Sequence, residues 1–254
     1  MTACYSCPVR RRTVSGVVSA AFLLAAGAVL PAAAADPGGP AVAGKTVFLD
    51  PGHSGANDAS IGRQVPNGRG GTKPCQTSGT AADDGYPEHA LTWDVTNRVR
   101  AALDQLGVHT ELSRGDDTSV GPCIDARAAA ANATHPDAIV SIHADGAPAS
   151  GRGFHVNYSS PALNDAQAGP ALALAGDIRD SLVAAGIPPS SYLGADGLYG
   201  RADLAGLNLA EYPAVLVELG NMRNPQDATL LESTDGRAQY AAAVANGIVA
   251  YLSR

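Results

Sequence analysis

The residues best equipped to do chemistry together in this chain are two histidines and two glutamates, each beside an apolar run. His53 follows "TVFLDPG", His143 ends "AIVSIH", Glu218 stands near the end of "AVLVEL", and Glu88 opens the stretch "EHAL". Imidazole nitrogen and carboxylate oxygen are ligands that zinc takes in catalytic sites, where three protein groups bind and a fourth position stays open for water. A further carboxylate beside that water can serve as its base. Spacing alone also leaves an ordinary reading for each residue. His53 fits a surface or capping histidine, Glu88 a first-turn acid favoured by the helix dipole, His143 a satisfied core histidine, and Glu218 half of an internal ion pair. Glu88 carries the most information, because it precedes Leu91 and Val95 by three and seven residues and so shares their core-facing side. A carboxylate there is costly to bury unless a cation or a donor meets it.

Such residues meet only if the elements carrying them end on a common edge. "TVFLD" at Thr46–Asp50 reads as a first strand, and Glu88–Leu106 as a helix of 3.6-residue period stopped by Gly107. "VHTEL" follows as a strand, and the Ala-rich Ile124–Ala133 as a helix. Ala138–His143 and Ala214–Leu219 are continuous apolar runs of buried-strand length, and Phe154–Tyr158 alternates like another strand. Ala171–Ala185 fits a helix closed by Gly186 and Pro188, and Asn224-Pro225 starts two closing helices up to Leu252. This alternation predicts an α/β fold of three layers, α/β/α, with a mostly parallel central sheet flanked by helices. Ligands in such sheets gather at the carboxyl ends of the strands, where His53, His143 and Glu218 all fall. The long polar stretch Ser54–Tyr86 is expected to be an ordered wall of the resulting cleft. The other histidines are assigned no chemistry: His89 as a helix flank, His109 and His155 as exposed strand positions, His135 as a loop residue before Pro136.

The ends and the composition bound the class. Arg10, Arg11 and Arg12 precede an uncharged stretch from Thr13 to Leu30, and "PAAAA" then offers a small-residue cleavage site before Asp36. That order reads as a secretory signal peptide over residues 1–35, followed by a short tail, 36–44, and a catalytic domain, 45–254. A membrane anchor is the alternative, since the apolar stretch is just long enough to span. The paired arginines also fit a twin-arginine route. Removing the leader takes away three arginines and no acid, so the formal charge goes from −7 to −10, a balance ill suited to nucleic acid. Cys4 and Cys7 leave with the leader, and Cys75 and Cys123 remain as an even pair in an oxidising compartment. Both sit beside proline in turn-like surroundings, so a disulfide between them is expected, with two free buried thiols as the alternative.

At this point the residues carry a resemblance. "LDPGHSG", the Glu of "PEHAL", "SRGDD" with Arg127 and Ala131-Asn132 beyond it, "DAIVSIHAD", "GFHVNY" and "PAVLVELGNMRNPQD" together resemble the zinc-dependent N-acetylmuramoyl-L-alanine amidases. The likeness runs from about Lys45 to Leu252 and is nearest to the short, secreted, single-domain mycobacterial members. It implies that His53, Glu88 and His143 bind one Zn2+ and that Glu218 is the catalytic glutamate. It implies hydrolysis of the amide between the lactyl group of N-acetylmuramic acid and L-alanine, on peptidoglycan or muramyl-peptide fragments. The protein is then expected in the periplasm or cell wall, as a monomer without stable membrane insertion. Two positions depart from the family pattern: Asp145, where relatives often carry Asn, and Asn221-Met222, where an aromatic and a small residue are usual. The family's wall-binding repeats are absent from this sequence.

Three rivals come from other classes. "GHSGA" at Gly52–Ala56 is near the serine nucleophile elbow, but Ala56 takes the last glycine's place and a polar loop follows where a helix is needed. A zinc carboxypeptidase would want an acid where Ala56 stands. A non-enzymic relative that only binds the wall would be favoured by loss of Glu218 or a ligand, and all four residues are present. Exported protein is expected to begin near Asp36, which N-terminal sequencing checks; Arg10 retained in a membrane fraction would favour the anchor.

Overall fold

A computed structural model describes residues 41–254; the expected leader, and the expected tail as far as residue 40, lie outside the described residues. The chain enters through strand β1 (Thr46–Pro51), then a single 3-10 turn (Ala59–Gly62) and a small antiparallel hairpin of β2 (Gln64–Pro66) and β3 (Thr72–Pro74). Helix α1 (Glu88–Asp104), β4 (His109–Leu112), α2 (Ile124–Ala133), β5 (Ala138–Asp145) and β6 (His155–Ser159) follow. A one-turn helix α3 (Asp165–Ala168) leads into α4 (Pro170–Ala184), then β7 (Leu198–Arg201), a second one-turn helix α5 (Ala205–Asn208) and β8 (Ala214–Asn221). The closing pair is α6 (Pro225–Glu232) and α7 (Thr234–Leu252). None of the described helices is long and apolar enough to cross a membrane.

The main sheet has six strands in the order β4-β1-β5-β8-β6-β7. The first four run parallel, β6 lies antiparallel to β8, and β7 runs parallel to β6. The expected mostly parallel α/β/α architecture is therefore present. One face is buried deeply: Val47, Leu49, Val140, Ile142, Val215 and Val217 meet α1, α4 and α7 in a single core. The α1 residues Leu91, Val95, Val99 and Leu103 sit in that core with no exposed surface, each such side chain contributing on the order of 2 kcal/mol. The other face has a thinner cover. Phe48, Ile139 and Ala214 pack under Ala131 of α2 and Leu207 of α5.

Because strand side chains alternate, each strand shows a change of chemistry along this thin face. Phe48 is followed by Asp50, Ile139 by Ser141 and His143, and Leu216 by Glu218. Apolar residues fill the end that α2 and α5 cover, and polar ones emerge beyond it. The edge that the sequence pointed to is thus a property of one face.

The boundaries follow local chemistry. Helix α1 stops before Gly107, whose φ of +76 is reached without a Cβ to obstruct it. The Asn224 side chain accepts the Gln226 and Asp227 backbone N–H groups at the start of α6, with Pro225 in the first turn. β5 and β8 run two residues further than the apolar runs suggest, to Asp145 and Asn221. The stretch from Ser54 to Tyr86 is an ordered wall. Arg69 reaches from the hairpin to Asn208 Oδ1 (3.1 Å) and Ser159 Oγ (3.0 Å), and the Cys75–Cys123 disulfide ties the end of β3 to the N-cap of α2. The cysteines are 48 residues apart, so the chain-entropy model gives the bridge about 4 kcal/mol. Cys75→Ser with Cys123→Ser should lower unfolding stability by up to that amount in a denaturant titration; an unmoved midpoint would contradict a structural role.

Candidate metal centre

Register builds the site before any side chain is considered. His143 on β5 lies opposite Glu218 on β8, and Glu218 lies opposite His155 on β6, so the three share one row across the sheet. On the other side of His143, β1 has just ended at Pro51, which pairs with Ile142. Gly52 therefore occupies the next place, and a Cβ there would sit 2.4 Å from the His143 ring. The glycine leaves room for the imidazole.

His53 then turns back on itself with φ +62, a left-handed conformation uncommon for a residue with a Cβ. Its carbonyl accepts from Arg127 Nη2 at 2.6 Å, and its Nδ1–H donates to the Thr77 carbonyl at 2.8 Å. These bonds hold the turn and leave Nε2 facing the Glu88 carboxylate, 3.0 Å from Oε2. His143 Nδ1 lies 3.0 Å from Glu88 Oε1. The same two oxygens accept backbone N–H groups from Thr80 (2.9 Å) and Ala144 (3.1 Å). A carboxylate 4% exposed at the start of a core-packed helix thus has four partners. Gly79, with φ +81, lets the loop pass; a Cβ there would lie 2.9 Å from both Glu88 Oε2 and the His53 ring.

The electrostatics follow from these contacts. Burial would raise the Glu88 carboxyl, but the two imidazoles hold it well below the usual carboxylate range. Burial would lower His53, and the bond and charge of Glu88 lift it above its ordinary value. Glu218 is pushed the other way: burial, then the charges of Glu88 and Asp145, raise it well above the carboxylate range against the pull of Arg201. Glu218 is half-buried, with Oε2 enclosed and lacking a hydrogen-bond partner. The ligand atoms of His53, Glu88 and His143 all lie within 4.8 Å of one another, a set that could hold a metal ion. Beside the two histidines a cavity of about 140 Å3 runs back under α2 and α5 over Phe48, Ile139 and Leu216.

The match of the family model for N-acetylmuramoyl-L-alanine amidase extends over residues 47–250. The chain belongs to this amidase family. It is 60% identical to the N-acetylmuramoyl-L-alanine amidase Rv3717 of Mycobacterium tuberculosis, over 91% of this chain and 95% of that one. The crystal structure of the amidase Ami1 from Mycobacterium smegmatis superposes with a TM-score of 0.83 at 64% identity, covering 83% of this chain and 98% of that one. Ami1 from Mycobacterium abscessus gives 0.83 at 62% identity, covering 84% and 100%.

Within the amidase, the other expected residues fall out as follows. Ser54 is buried, and its hydroxyl accepts from Gly121 N at 3.0 Å with Arg127 Nη2 at 3.2 Å, so the elbow-like motif presents no nucleophile. His109 is exposed and His135 lies in a loop, both as expected, while His89 pairs with Asp117 at 2.9 Å. His155 corrects the sequence reading: it is 1% exposed, not a surface residue. Of the two departures, Asp145 accepts from Tyr192 Oη at 3.1 Å. Asn221 is fully buried and pins the loop after β5 by donating to the Pro148 and Gly151 carbonyls.

Sequence reasoning assigned no role to Asp50, and saw Arg127 only as a landmark. Burial would raise Asp50, but the Arg127 guanidinium at 2.9 Å, with Ser113 and His143, holds it down at about 2. Arg127 also binds the Pro51 carbonyl at 2.8 Å, so one cation fixes the whole turn that presents His53. The signal was available in the alternation, which puts Asp50 on the face of Phe48. Arg127→Met should destabilise the protein by up to about 3–5 kcal/mol at neutral pH, because it strands a half-buried acid. Asp50 is depressed in the folded state, so its stabilisation is present above the unfolded value of 3.8 and lost as pH falls through about 2. The gap between parent and variant should narrow over that window in denaturant titrations; a gap independent of pH would contradict the pairing.

Proposed function

We propose that this chain is a zinc amidase in which His53, Glu88 and His143 hold the metal and Glu218 is the general base. The bond cut is the amide between the lactyl carbonyl of N-acetylmuramic acid and the nitrogen of L-alanine, in peptidoglycan or its muramyl-peptide fragments. The observation that carries the reading is the Glu88 carboxylate, enclosed and faced at 3.0 Å by one nitrogen from each of two histidines. Two imidazoles and a carboxylate are a donor set that suits zinc in a catalytic site. His53 also has the outer-shell support common to metal-binding histidines, its Nδ1–H held by the Thr77 carbonyl. When bound, zinc would polarise the amide carbonyl and lower the pKa of a water to about 7.

The remaining work belongs to the chain. Glu218, one strand from His143 in the same row, takes the proton of the attacking water as oxygen bonds to the carbonyl carbon. The proton then goes to the alanine nitrogen as the C–N bond breaks, which is required because an amide anion is a very poor leaving group. The enclosed position that raises Glu218 suits a group that must hold a proton between the two transfers. Export through removal of residues 1–35, action at the cell wall or in the periplasm, and a monomeric state complete the proposal.

Glu218→Gln should keep its fold and bound metal yet lose roughly 10²–10⁴-fold in muramyl-peptide cleavage. His53→Ala or His143→Ala should lose zinc and activity together, measured by metal analysis alongside turnover. A chelator should abolish cleavage and added zinc restore it. Normal turnover by Glu218→Gln would remove that residue from the mechanism, and near-normal activity of metal-free protein would reject the zinc.

A further inference from the structure

His155 is the one histidine whose burial has no counterpart in the mechanism so far. It lies on β6 directly opposite Glu218, and directly opposed residues project to the same face with Cβ atoms about 5 Å apart. Two polar atoms on this pair are enclosed without a partner: Glu218 Oε2 and His155 Nδ1. Buried polar atoms are seldom left unpaired, so two orphans of complementary kind on facing residues call for an explanation. One atom is a carboxylate oxygen that accepts; the other is a ring nitrogen that donates when protonated.

The surroundings of the ring favour a neutral donor in a fixed orientation. Tyr192 and Tyr199 meet it edge-on, with centroids 6.1 and 6.0 Å away and interplanar angles of 89° and 71°. Tyr192 is itself held through its hydroxyl, which donates to Asp145 Oδ2. Burial pushes the imidazole down to about 4, the charge of Asp145 opposing and that of Arg201 assisting. A neutral ring carries a single N–H, which can be on Nδ1 only if Nε2 is bare.

We propose that His155 is a positioning residue for the amidase reaction: its Nδ1–H binds Glu218 Oε2 in the working enzyme and leaves Oε1 free to move the proton. The proposal rests on Glu218 being the base. The terminal torsion of a glutamate is broad, so the carboxylate turns toward a donor at little cost, and hydrogen bonds at catalytic sites often tighten only when ligands are bound. A carboxylate held by one oxygen has a defined direction of proton transfer. Without the bond the group rotates, and a fraction of encounters finds it misaimed.

The test uses zinc-loaded enzyme on a muramyl peptide. His155→Phe keeps the ring against both tyrosines and removes the donor. It should lower kcat by about 10–100-fold, the usual scale for an outer-shell partner, with KM, zinc content and melting temperature unchanged. His155→Asn, which can place an amide N–H near the lost Nδ1–H, should recover much of the rate. In a Glu218→Gln background His155→Phe should cost nothing further, because it acts through that carboxylate. Nitrogen-labelled histidine should show His155 protonated at Nδ1 in the parent enzyme by NMR. An Nε2–H tautomer, a loss expressed in KM or in zinc content, or an equal loss in both backgrounds would overturn the proposal. If Glu218→Gln alone is inactive while His155→Phe is normal, only the role of His155 fails; if Glu218→Gln is fully active, the base assignment fails and this role with it.

Discussion

The enclosure of the Glu88 carboxylate is the constraint on which the site depends. Helix α1 must bury the face that carries Leu91, Val95, Val99 and Leu103, and Glu88 begins that face. Its charge therefore goes into the protein with the helix. Unmet, it would cost several kcal/mol or take up a proton. The chain meets it with backbone N–H groups from Thr80 and Ala144 and with the rings of His53 and His143. Those partners come from three separate segments, so the loop, the end of β1 and the end of β5 are all brought to one point.

A second constraint lies behind the first. The turn after β1 must hold His53 at positive φ, and Arg127 secures it through the Pro51 and His53 carbonyls while neutralising Asp50. The cation comes from α2, whose start is tied by Cys123 to the long loop at Cys75. Thus the disulfide, the helix and the strand end are one mechanical unit. The asymmetry of the sheet completes it. Three helices cover one face, but α2 and α5 cover only part of the other, and the exposed remainder is the place where polar residues replace apolar ones.

The fold and the placement of His53, Glu88, His143 and Glu218 at one edge were legible because their signals are local. "AIVSIH" and "AVLVEL" are buried strands by composition, and the period of α1 marks Glu88 as inward-facing. Elements without such a signal were not foreseen. β7 is a four-residue edge strand containing Gly200, and the hairpin strands β2 and β3 are three residues each, too short for a pattern. An arginine in an Ala-rich helix reads as solvent-facing, and the acid that buries Arg127 is 77 residues away. His155 was misread because alternation in "FHVNY" assigns its polar residues to water. The tyrosines that enclose the ring come from the segment around β7, which carries no pattern of its own.

The proposed chemistry requires a metal between His53, Glu88 and His143. X-ray absorption at the zinc edge on the purified enzyme tests this without reference to turnover. The expected result is one zinc per chain with imidazole nitrogen and carboxylate oxygen at about 2.0–2.2 Å and no sulfur, and a matching anomalous peak in the crystal between these three side chains. A sulfur-ligated or fully hydrated zinc, or an anomalous peak elsewhere on the molecule, would contradict it.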